Sequence, residues 1–80
     1  MTLKQFLEQA FEHFEGSRFY QNTLIESTFA ETTVKYYGTL IARIDHDARQ
    51  ASFYNANYSI STKRRVNILQ HIAAEKDYTL

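Results

Sequence analysis

The sequence contains no cysteine, no proline and no tryptophan, and only two glycines. Without cysteine, the chain has no disulfide framework, no thiolate zinc site and no thiol nucleophile. Without proline, it lacks the usual source of cis peptide bonds and of the slow folding steps that they cause. Its apolar runs are short, which excludes both a membrane-spanning helix and a signal-peptide core. We therefore expect a soluble cytoplasmic protein.

A chain of 80 residues is expected to form a single domain, residues 1–80, around one thin core. Its aromatic content of 15% argues against disorder, because aromatic rings bury large areas. The formal net charge is zero, yet acidic residues outnumber basic ones five to two in residues 1–31, and basic residues outnumber acidic ones seven to four in residues 32–80. This asymmetry is found at nucleic-acid and partner surfaces and also in ordinary domains.

The N-terminal segment has the pattern of an amphipathic helix, which we expect over residues 2–15. Thr2 and Gln5 form a capping-box pair at its start, and Gly16 suits the left-handed position that follows a helix. The apolar residues recur at helical spacing at Leu3, Phe6, Leu7, Ala10, Phe11 and Phe14.

The middle of the chain predicts an antiparallel sheet. Residues 17–31 show no clear period, and we expect a short irregular helix or a packed loop there. From residue 32 the period changes to two, which predicts strands over 34–37, 39–44 and 51–56, with Gly38 as a bulge or tight bend. We therefore expect an α+β fold: an N-terminal amphipathic helix, an irregular segment, an antiparallel two- or three-stranded sheet with one face on the helices, and a C-terminal helix.

The second helix is expected from about Lys63 to Glu75, with Ser61 or Thr62 as its N-cap and with an apolar stripe at Val66, Leu69, Ile72 and Ala73. Its first turn would contain three consecutive cations, Lys63, Arg64 and Arg65. Because a helix N-terminus already carries partial positive charge, each cation there costs about 0.3 to 1 kcal/mol. The cations therefore indicate an anion held by N–H groups, hydroxyls and basic side chains. The alternative is that they point in three directions and one of them pairs with the acidic first helix.

Tyrosines cluster around the predicted strands at Tyr36, Tyr37, Tyr54 and Tyr58. Beside Lys35 and Arg43, exposed rings of this kind stack on unpaired bases or anchor a protein interface, where Tyr and Arg are enriched. The alternative is that the rings are buried and only their hydroxyls contact water.

The histidines show no metal-site pattern. His13 and His71 fall on separate predicted helices, His46 falls in a turn, and no second ligand lies at a suitable spacing. There is no phosphate-binding glycine loop, and no serine can be matched to a histidine and an acid. We therefore expect no metal, no cofactor and no enzyme activity.

Two segments carry a resemblance to known proteins. Residues 37–42, Tyr-Gly-Thr-Leu-Ile-Ala, are similar to a Tyr-x-Thr-x-Ile-Ala strand, and residues 58–63, Tyr-Ser-Ile-Ser-Thr-Lys, are similar to a Tyr-Ser-x-Thr-Thr-Ser-Lys-His strand-to-helix junction. Over residues 31–72 the chain thus resembles a small domain found mostly in bacteriophage-encoded proteins. Ser61 stands for the first threonine of the junction, and Arg64 and Arg65 stand where lysine and histidine are expected. The resemblance implies a phage or mobile-element origin and supplies no chemistry.

Our leading hypothesis is a non-enzymatic module that docks on a protein or ribonucleoprotein complex in the host cytoplasm, as anti-CRISPR inhibitors do. The residues expected to bind the partner or an anion are Lys35, Arg43, Tyr54, Tyr58, Ser61, Thr62, Lys63, Arg64 and Arg65. The alternative is a small nucleic-acid-binding domain, in which the cations contact phosphates and Tyr54 or Tyr58 stacks on bases. A third class is a structural protein that is either a monomer or a homodimer paired through an exposed strand edge.

Overall fold

The computed structural model describes residues 1–80. In chain order its elements are α1 (Leu3–Glu8), a 3-10 turn (Gln9–Phe11), β1 (Gly16–Tyr20), β2 (Thr23–Ser27), β3 (Glu31–Tyr36), β4 (Thr39–Asp45), β5 (Gln50–Phe53) and α2 (Ile60–Glu75). The predicted α+β class is confirmed, with a helix at each end of the chain and an antiparallel sheet between them. The sheet has five strands, however, rather than two or three.

The start of α1 follows the prediction and its end does not. The Thr2 hydroxyl accepts a hydrogen bond from the Gln5 backbone N–H, and the Gln5 side chain accepts one from the Thr2 N–H, so the capping box is present. The helix then ends at Glu8 and continues as the 3-10 turn to Phe11. Gly16 does not cap a helix; it is the first residue of β1 and has a φ of 136°.

The prediction for residues 17–31 is wrong, because this segment contains most of β1 and all of β2. The inward positions of β2 include Thr23 and Ser27, which are buried, so polar residues occupy places where an alternating pattern needs apolar ones. The connecting residues Gln21 and Asn22 have φ of 48° and 59°, as in the two-residue turn of a β-hairpin.

The sheet is a meander in which each strand pairs with the next one along the chain, in the order β1-β2-β3-β4-β5. Tyr37 and Gly38 form the turn between β3 and β4, with φ of 50° and 78°, so Gly38 lies in a tight bend as predicted. The predicted hairpin between the strands β4 and β5 is also confirmed.

A bulge in β4 determines which of its side chains are buried. Val34 pairs with Ala42 whereas Lys35 pairs with Leu40, so Ile41 is the extra residue. Ile41 and Ala42 are both buried, and Leu40 is left half-buried. The bulge therefore interrupts the regular alternation of inward and outward side chains along β4.

Both helices pack on the same face of the sheet, and we call the opposite face, which no helix covers, the outer face. The predicted apolar stripe of α2, at Val66, Leu69, Ile72 and Ala73, is buried against the sheet and α1. The largest fully buried side chains are Leu7, Ile25, Ile41, Ile44, Leu69 and Ile72. Neither helix has the length and apolar character needed to cross a membrane.

Candidate binding site

The N-terminus of α2 lies earlier than predicted. The helix begins at Ile60 rather than near Lys63, and its N-cap is Ser59 rather than Ser61 or Thr62. The Ser59 hydroxyl accepts a hydrogen bond from the Thr62 backbone N–H at 3.1 Å. The three cations therefore follow the first turn, so the cost expected for cations among the unpaired N–H groups does not apply, and their position alone does not indicate an anion.

Arg65 is buried rather than part of a basic surface. It is 7% exposed. Its guanidinium donates to the Thr23 hydroxyl at 2.9 Å and to the carbonyl oxygens of Ser61 and Gln21 at 3.1 and 3.3 Å. It also lies 4.0 Å from the centre of the Tyr36 ring. No carboxylate pairs with Arg65, so carbonyl and hydroxyl oxygens and an aromatic face stabilise its charge.

Lys35 and Arg43 are already paired with glutamates. The Lys35 ammonium lies 3.5 Å from the Glu26 carboxylate on β2, and the Arg43 guanidinium donates to the Glu31 carboxylate on β3. Strand alternation places these side chains on the outer face, away from α2. The structure therefore does not bring Lys35 and Arg43 together with the cations of α2.

A cleft of about 250 Å³ lies between the β3–β4 turn and the start of α2. We call it the tyrosine cleft, and its walls are Tyr36, Tyr37, Thr39, Tyr58, Ser59, Ser61 and Thr62. Tyr58, Ser61 and Thr62 are predicted site residues that the fold brings together. Tyr54 is not among the walls; it follows β5, where its N–H donates to the Ile41 carbonyl at 3.0 Å.

Tyr37 and Tyr58 are the most exposed rings of the cleft, at 70% and 75%. The backbone of Tyr37 has a φ of 50°, in the left-handed region that bulky residues seldom adopt. A turn of this type favours Asn or Asp before the glycine. The Tyr37 hydroxyl accepts a hydrogen bond from the Asn22 side chain at 2.9 Å. Residues in such backbone conformations are found more often at functional sites than elsewhere.

The charge next to the cleft has one sign. Lys63 and Arg64 directly follow the wall residue Thr62, both are exposed, and neither forms an ion pair. The walls include no acidic residue. The partial positive charge at the start of α2 has the same sign. The cleft therefore combines aromatic surface and hydroxyl groups, and two unpaired cations follow it in the chain.

A cluster of polar side chains that the sequence did not predict is buried at the end of the sheet opposite the tyrosine cleft. The Ser27 and Thr32 hydroxyls are 2.7 Å apart, and Thr32 Oγ1 lies 2.7 Å from Nε2 of His46. Nδ1 of the same ring lies 3.1 Å from the Tyr78 hydroxyl. This chain of hydrogen bonds links β2, β3 and the C-terminal segment. A lone histidine in a polar turn gives no sign of burial in the sequence.

Burial lowers the pKa of His46 from its ordinary value of 6.5. His13, whose ring centre is 5.0 Å away, lowers the pKa further, whereas Asp45 and Asp47 raise it. Burial is the largest of these effects, so the fold favours the neutral imidazole, in which one nitrogen donates and the other accepts.

No family model, curated protein or solved structure matches this chain. No group of three or more His, Asp or Glu side chains gathers where it could hold a metal ion. The geometry of the tyrosine cleft is therefore the basis for a functional proposal.

Proposed function

We propose that this protein is a non-enzymatic binding module that docks through the tyrosine cleft and the adjacent side chains of Lys63 and Arg64. The observation that carries the proposal is the pair of exposed rings, Tyr37 and Tyr58, that line one cleft. Tyrosine is enriched at the energetically dominant positions of protein interfaces, because its ring buries a large area at low entropic cost.

A non-catalytic role is supported by the chemistry of the cleft walls. The Ser59 hydroxyl caps α2 and lies 2.9 Å from the Thr62 hydroxyl. The walls contain no histidine and no carboxylate that could activate a hydroxyl group. The exposed hydroxyls of Tyr58 and Ser61 are suited to donating and accepting hydrogen bonds with a partner.

The partner that fits this surface is an acidic face of a protein. Lys63 and Arg64 are unpaired cations, and complementary charge increases the rate of encounter and fixes orientation. The resemblance to phage-encoded domains makes a bacterial host complex the first partner to test. An anti-CRISPR role within such a complex stays a prediction.

The nucleic-acid alternative has less support from the geometry. Of the cations assigned to phosphates, Arg65 is buried, and Lys35 and Arg43 are paired with glutamates on another face. Lys63 and Arg64 are left, and a phosphate-binding surface usually needs more cations than this pair.

The test is affinity capture from bacterial lysate, followed by titration of the purified captured partner with the protein and its variants. Tyr58→Ala should weaken binding about 30-fold, which corresponds to roughly 2 kcal/mol for the loss of an interface anchor. A double variant, Lys63→Glu with Arg64→Glu, should weaken it through charge reversal. Phe29→Ala is the matched control, because Phe29 is 61% exposed and lies between β2 and β3, outside the cleft.

Tyr37→Asn separates binding from folding. Asn suits the left-handed turn position, which offsets the lost hydrogen bond between Asn22 and the Tyr37 hydroxyl, so this variant should be about as stable as the natural protein while binding the partner more weakly. Equal affinities for Tyr58→Ala and Phe29→Ala would contradict the proposal. Binding of single-stranded DNA or RNA at low salt that disappears at high salt would support the nucleic-acid alternative instead.

A further inference from the structure

β1 is an open edge of the sheet, since its one neighbouring strand is β2. Tyr20 and Thr23 flank the two-residue turn between these strands, and in such a turn the flanking residues exchange main-chain hydrogen bonds. From there, hydrogen-bonded and non-hydrogen-bonded residue pairs alternate along the two strands. The main-chain groups of Ser17 and Phe19 therefore point away from β2. None of the hydrogen bonds outside the helices and ladders uses them.

The opposite edge, β5, is covered at its start by Thr79. The Ala51 N–H donates to the Thr79 carbonyl at 2.8 Å, and the Thr79 N–H donates to the Arg49 carbonyl at 2.8 Å. Two-fold pairing through β1 uses the open edge of both copies, so it closes at two molecules.

The open edge carries an exposed apolar side chain. Phe19 is 67% exposed and lies on the outer face beside Leu24, its cross-strand partner. Proteins blunt their edge strands with charged side chains, proline, bulges or short length. The one charged residue of β1, Arg18, is held on the helix side, where it pairs with Glu12 at 3.1 Å and lies 3.9 Å from the centre of the Phe14 ring. Nothing on the outer face therefore protects the edge at Phe19.

We propose that two copies of this chain pair through β1 in antiparallel orientation, with the two-fold axis at Phe19. An axis at Arg18 would place two guanidinium groups directly opposite each other, which is destabilising. With the axis at Phe19, the two phenyl rings face each other on the outer face, flanked by Leu24 of each copy. The two Phe19 residues then exchange main-chain hydrogen bonds, and Arg18 lies opposite Tyr20 of the second copy.

Sedimentation equilibrium over a range of protein concentrations tests this pairing. The natural protein should show twice the mass of one chain at high concentration. Phe19→Glu and Phe19→Lys should each raise the dimer dissociation constant at least tenfold, because each places like charges at the axis. Phe29→Glu changes a similarly exposed phenylalanine that lies outside β1, so it should leave the dimer dissociation constant unchanged.

Mixing the two charged variants tests the register itself. An equal mixture of Phe19→Glu and Phe19→Lys should regain the dimer, because opposite charges then face each other across the axis. Circular dichroism of each variant should match the natural protein, since Phe19 is exposed. A natural protein that stays monomeric up to about 1 mM would overturn the proposal. So would failure of the mixture to associate, or an equal effect of Phe29→Glu.

Discussion

The guanidinium group of Arg65 connects α2 to the β1–β2 turn and to the Tyr36 ring. Arg65→Ala removes this group together with its hydrogen bonds to the Thr23 hydroxyl and to the Gln21 and Ser61 carbonyls. We expect the free energy of unfolding to fall by about 2 to 3 kcal/mol, because hydrogen bonds to a charged donor are lost. Urea denaturation followed by circular dichroism measures this change.

Arg64→Ala is the matched control, since Arg64 is the neighbouring residue of the same type and is exposed. Its removal should change the free energy of unfolding by less than about 0.5 kcal/mol. Similar losses for the two variants would show that the contacts of Arg65 contribute little to stability.

The burial of Arg65 could have been predicted from helical spacing. Arg65 lies four residues before Leu69 and three after Thr62, both of which are buried, and is thus on the inward stripe of α2. The sequence interpretation grouped it with Lys63 and Arg64 because the three cations are consecutive in the chain. Its partners, Thr23 and the Gln21 carbonyl, could not be predicted, because they depend on a hairpin that the sequence did not reveal.

At the scale of single elements, the start of α2 depends on Ser59. Its hydroxyl accepts the Thr62 N–H at 3.1 Å and lies 2.9 Å from the Thr62 hydroxyl. Ser59→Ala should therefore lower the free energy of unfolding by about 1 kcal/mol, as expected for loss of an N-cap. Thermal and urea unfolding provide the measurement.

Ser61→Ala is the corresponding control, because Ser61 lies inside the first turn of α2 and its side chain makes no capping bond. It should be neutral or slightly stabilising, since alanine has the higher helix propensity. If Ser61→Ala were the more damaging change, the helix would begin later than Ile60.

The sequence predicted the helices of this fold better than its strands. Repeated apolar spacing identified α1 and α2, and the Thr2 and Gln5 pair located the start of the first helix correctly. The β1–β2 hairpin was missed because inward-facing Thr23 and Ser27 are polar and its turn contains no glycine. The tyrosine cleft was found only in part, since its walls come from β3, β4 and α2, which meet through tertiary packing.

At the scale of the whole molecule, His46 couples stability to pH. Burial holds its pKa below the ordinary value of 6.5, so between these two values the unfolded chain binds more protons than the folded one. The free energy of unfolding should therefore decrease as pH falls below 6.5, and this contribution should level off once pH is below the folded pKa. Urea denaturation at a series of pH values between about 7.5 and 5 measures it.

His46→Gln provides the control, because glutamine can hydrogen-bond to Thr32 or Tyr78 without titrating. The groups that face this position, His13, Asp45 and Asp47, are retained in the variant. The decline in stability between pH 6.5 and 5 should be smaller in His46→Gln than in the natural protein. Parallel curves would place the source of the pH dependence elsewhere.

The tyrosine cleft also affects the fluorescence of the protein. The protein has six tyrosines and no tryptophan, so its ultraviolet emission comes from tyrosine alone. Three of those chromophores, Tyr36, Tyr37 and Tyr58, line the same cleft. A molecule that enters it changes the surroundings of these rings together, and the natural fluorescence of the unlabelled protein reports on occupancy.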